Sequence, residues 1–88
     1  MMKLDRFTRE DAQRIGTAIG IDWQASAVDL DQFRIGLHVE LEHGASDPQT
    51  DVTHDDEVTT GKIAFAHLKE IPDYYTRLEK MEAEAEGR

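Results

Sequence analysis

Between Leu30 and Gly44 the apolar residues Leu30, Phe33, Leu37 and Leu41 recur at intervals of three and four. That spacing closes a single stripe on an α-helix and scatters over both faces of a strand, so it predicts a helix over Leu30 to His43. Asp29, three residues before Gln32, supplies the start signal, and Gly44 suits a left-handed stop just past the end. Thr8, followed three residues later by Asp11, predicts an earlier helix from about Arg9 to Ile19, with Ala12, Ile15 and Ile19 on one face and Gly20 as its stop. Ile21 to Val28 holds neither period and reads as a connector whose Trp23 plugs the core. Asp55 or Asp56 can cap a further helix to about Ile71, with Ile63, Ala64, Leu68 and Ile71 turned inward. Pro72 suits the first turn of a new helix, so the chain should bend near Glu70 and continue through Tyr74, Leu78 and Met81.

No strand pattern competes with these segments. The expectation is all-α: one compact three-to-four-helix domain over residues 1–88, with one long acidic loop from Ala45 to Glu57 and a tail fraying from about residue 83. At 88 residues a second independent core is excluded, and the single core must be thin. A loop of this length without apolar periodicity signals work or mobility. The chain has no cysteine, which removes disulfides, thiolate metal sites and thiol nucleophiles and suits a reducing, cytoplasmic setting. No apolar run reaches the roughly 20 residues of a membrane span, and the charged start is unlike a signal peptide.

The net charge of −9 is concentrated in the middle of the chain, because residues 31–60 hold eight acids against Arg34 alone. Such a field repels phosphate backbones, so direct nucleic-acid binding is not expected, and it favours a protein partner with a basic surface. The interaction residues this suggests are Asp47, Asp51, Asp55, Asp56 and Glu57, joined by the aromatic pair Tyr74 and Tyr75. The apolar arcs on the second and third helices are wide for so thin a core, which points to a homodimer hiding their flanks.

A second constellation lies on those two helices. Glu40 with His43, and His67 with Glu70, are carboxylate and imidazole pairs three residues apart, and each pair projects to one side of its helix. Facing helices carrying such pairs build metal sites in helical bundles, so Glu40, His43, His67 and Glu70 form a candidate four-ligand set for a divalent transition metal, with Tyr74 or Asp47 in support. The competing reading makes His43 and His67 hydrogen-bonded residues at the core edge. Other motifs fail on spacing: an EF-hand counted from Asp47 finds Val52 and Val58 where glycine and glutamate belong. Asp56 and Ile63 break a phosphate loop ending at Gly61-Lys62, and Ser26 and Ser46 lack the context of a nucleophile.

The stretches DLDQFRIGLHVELEHG and DVTHDDEVTTGKIAFAHLKEIPDYYTRLEKME, with the FTREDAQRIG start, resemble the family called domain of unknown function 5661. The resemblance implies a compact helical unit, and its motif positions are Glu42, His43, Gly44, Lys62, His67, Pro72, Tyr74 and Tyr75. It implies no particular reaction. One departure is Glu57, which stands after the Asp55-Asp56 pair where an apolar residue or proline is expected. The function this sequence supports is therefore a small acidic helical binding module without catalysis, with metal binding as the alternative.

Overall fold

A computed structural model describes residues 6–87. Its described residues form four α-helices: α1 (Arg9–Ala18), α2 (Leu30–Glu40), α3 (Glu57–Glu70) and α4 (Tyr74–Ala85). A 3-10 turn (Leu41–His43) extends α2. No strand occurs among them, so the fold is all-α as the periodicity requires. None of these helices is long and apolar enough to cross a membrane.

The helix starts follow local chemistry. Thr8 Oγ1 accepts from the Asp11 backbone N–H while Asp11 Oδ2 accepts from the Thr8 N–H, a reciprocal cap on α1. Asp29 caps α2 through the Gln32 N–H at 3.0 Å. Asp56, rather than Asp55, caps α3 through the Thr59 N–H at 2.8 Å. These bonds satisfy amides that the first helical turn leaves without a partner. The stop at Gly20, with φ +97°, is left-handed as expected.

The core gathers around α2, which packs against α1, α3 and α4. Phe33 and Leu37 are fully buried there, with Ala12 and Ile15 from α1 and Ala64 and Leu68 from α3. Burying each large side chain of this kind is worth roughly 1.5–3 kcal/mol. Trp23 plugs the core only in part: it is half-buried, meets Phe33 edge-on at 5.7 Å and donates its Nε1–H to Thr17 Oγ1 at 3.1 Å. The chain entering α1 is pinned by Phe7, whose ring is buried. Its N–H donates to His38 Nε2 at 3.0 Å and its carbonyl accepts from Arg34 Nε at 2.7 Å. Because Nε2 accepts, His38 carries its proton on Nδ1, which lies 2.8 Å from the Arg34 carbonyl.

Several boundaries differ from the sequence expectation. Gly44 is not left-handed (φ −106°, ψ −153°), because α2 tightens into the 3-10 turn instead of stopping in a left-handed residue. A side chain there would run into Asp55 Oδ1, so glycine is needed for close approach. Ile71 does not face inward: α3 ends at Glu70, the backbone turns extended, and Ile71 is 39% exposed. Pro72 lies in the turn before α4, whose first residue is Tyr74. Met81 is 55% exposed, and α4 extends to Ala85.

Leu37→Ala should lower unfolding free energy by roughly 2–5 kcal/mol, read by urea denaturation, because it opens a cavity in the buried core to which all four helices contribute. Acid should act on the helix starts. Asp11 and Asp56 are held below the usual 3.8, chiefly by the backbone N–H bonds of Thr8 and Thr59. A carboxyl that is more acidic folded than unfolded stabilises above the unfolded value and loses that support as pH falls through the folded one. The first turns of α1 and α3 should therefore fray below about pH 4 before the core melts, seen as early amide shift changes at residues 9–12 and 57–60.

Candidate functional site

Glu40, Gly36 and Gln32 lie four residues apart on one line of α2, and that line faces α4. Gln32 Nε2 donates to Thr76 Oγ1 at 2.7 Å at one end. At the centre the Tyr75 ring lies so close to Gly36 that an added Cβ would stand 2.5 Å from it. At the other end the Tyr75 hydroxyl donates to Glu40 Oε2 at 2.8 Å. Glycine at position 36 is what lets the phenol reach the carboxylate.

Glu40 is only 4% exposed, an unusual place for a carboxylate in so small a domain. Two imidazoles approach it: His67 Nε2 stands 3.7 Å from Oε2, and His43 Nε2 stands 4.0 Å from Oε1. Both distances exceed a hydrogen bond, so the phenol is the carboxylate's direct donor. Tyr74 stacks flat on His67, with centroids 4.2 Å apart and planes 3° off parallel, and Tyr75 meets both rings edge-on. Burial, followed by the hydrogen bond and charge of Glu40, pushes the Tyr75 phenol far above its ordinary 10.0, so it remains a donor.

Three of the four residues proposed as a metal set thus converge, and the fourth does not. Glu70 is exposed at the last position of α3, and no three His, Asp or Glu side chains among the described residues are arranged to hold a metal ion. The four-ligand site is corrected to a hydrogen-bonded cluster about one buried carboxylate. Tyr75 also leaves the list of contact residues, being 2% exposed. Tyr74 is half-buried against His67. The sequence pointed to both tyrosines and to Glu40 but not to their bond; the signal was the glycine at 36, one turn before Glu40 on the same line.

The acidic loop is folded rather than loose. Val52 and Thr53 donate their N–H groups to the His43 carbonyl at 2.7 and 3.3 Å, returning the chain onto the 3-10 turn. Asp51 accepts from the His54 N–H at 2.7 Å and meets its ring Nδ1 at 2.7 Å. Asp55 accepts from the Ala45 N–H at 2.9 Å, across the space that Gly44 leaves open. Asp47 accepts from the Gln49 N–H at 3.0 Å, and Glu57 pairs with Arg14 at 3.1 Å. His54 and Asp55 are both left-handed, at φ 50° and 60°, a conformation that His and Asp adopt more readily than most residues. These side-chain bonds hold it in place.

The fold and this cluster define a small all-helical domain with a buried carboxylate at its α2–α4 junction and a stitched acidic loop beside it in sequence. Residues 12–84 match the family model described as "Protein of unknown function (DUF5661)", and the chain belongs to that family. No curated protein and no solved structure matches it.

Tyr75→Phe should cost about 1–3 kcal/mol of stability, because the Glu40 carboxylate is then buried without its donor. In a Glu40→Gln background the same change should cost clearly less, and an equal cost in both backgrounds would show that the carboxylate does not depend on the phenol.

Proposed function

We propose that the chain is a non-catalytic binding module that presents the Asp47 to Glu57 loop to a cationic surface on a protein partner. The observation that carries this reading is that every acid of the loop is anchored by a local bond, to a backbone N–H or to Arg14, while Asp47, Asp55 and Asp56 stay exposed. Carboxylates fixed in advance lose little conformational freedom on binding, which favours recognition by a surface of matching charge. The concentration of eight acids in residues 31–60 supplies the attracting field.

The Glu40 cluster supports the reading from the other side. Its carboxylate accepts from the Tyr75 phenol, and the Tyr74 ring stacks on the neighbouring His67 imidazole. We assign this cluster the role of fixing α4 to α2.

Titration of isotope-labelled protein with an arginine-rich peptide tests the loop. Backbone amide shifts should concentrate at residues 45–57 and shrink as salt rises from about 50 to about 300 mM. Replacing Asp47, Asp55 and Asp56 together by Asn keeps their capping oxygens while removing three charges, and should weaken binding about tenfold or more. Shifts centred on the acidic end of α4, or insensitive to the triple substitution, would sink the proposal.

A further inference from the structure

The α4 helix is attached on one side only. Tyr75 is its single buried residue, while Ile71 and Met81 are 39% and 55% exposed. Ile71, Tyr74, Leu78 and Met81 line one shallow groove, with Arg77 along its edge. From Tyr74 the apolar positions step by four, three and four to Leu78, Met81 and Ala85, the spacing of a helix–helix seam.

With Leu78 at zero on the α4 wheel, Tyr75 falls near about +60° and marks the flank turned to α2. Tyr74 and Met81 fall near about −40° and −60°, and Arg77 and Glu84 near about −100° and −120°, all on the opposite flank. That open flank therefore carries one cation and one anion two turns apart.

We propose that this face of α4 pairs with the same face of a second copy of the chain, the two helices running antiparallel. Antiparallel pairing about a twofold axis places like flanks together, so Arg77 of each copy faces Glu84 of the other and Leu78 packs against Met81. Parallel pairing would instead need the flank that Tyr75 has already turned into its own core. Arg77 is bonded to Asp73 at 2.7 Å, but both side chains are more than half exposed, so the arginine exchanges partners readily. Twelve residues of helix span about 18 Å, so the contact sits at the small end of specific interfaces and the dimer is concentration-dependent.

Sedimentation velocity on the full chain from about 10 µM to about 1 mM tests this. The weight-average mass should rise from monomer towards dimer across that range. Arg77→Glu and Glu84→Arg should each weaken association about tenfold, and the two together should restore it to near the wild-type value, with unchanged helical signal throughout. Met81→Glu should abolish it without reference to charge pairing. A monomer at the highest concentration overturns the proposal, as does a double variant no better than either single one. Restoration by Glu82→Arg in place of Glu84→Arg overturns the antiparallel arrangement.

Discussion

The hydrogen bond from the Tyr75 hydroxyl to Glu40 joins α4, whose one fully buried side chain is Tyr75, to the helix at the centre of the core. It exists because Gly36 leaves the α2 backbone bare at the point where the phenol must cross it. A carboxylate buried to this degree would be costly alone, and the phenol offsets that cost while the two imidazoles stand close by as further polar neighbours. The position of α4, the stacking of Tyr74 on His67 and the direction of the exposed α4 face all follow from this one contact.

A comparable economy governs the loop. Thirteen residues with no apolar pattern would ordinarily be mobile, yet residues 44–56 close on themselves through aspartate side chains and backbone amides. Acids that give the region its charge are the same groups that hold its shape. Gly44 takes part by leaving space rather than by turning left-handed, and the left-handed conformations fall instead on His54 and Asp55. Charge display and loop geometry are consequently inseparable here, and substitutions that keep the capping oxygen are the way to separate them.

Much of the frame was legible from residues alone. The caps at Thr8, Asp29 and Asp56 and the stripe Phe33, Leu37 depend on neighbours within one helical turn, and local rules describe such neighbours well. The convergence of Glu40, His43 and His67 was also readable, since it needs only two facing helices. Glu70 was misplaced because α3 ends there, before Ile71 turns away, and its wheel position then says nothing about which neighbour it meets. His38 escaped notice because its role is to receive a backbone amide from Phe7, 31 residues away.

The sequence by itself determined that this chain is helical, where the first three helices begin, and that its charge gathers in the middle third, because periodicity, capping and composition act over a few residues. Only the tertiary structure decided that an apparent ligand set is a tyrosine-bonded carboxylate, that the acidic loop is stitched shut, and that one face of α4 is left uncovered. Those outcomes turn on distances between segments tens of residues apart, and no local preference encodes how closely two helices approach across a glycine.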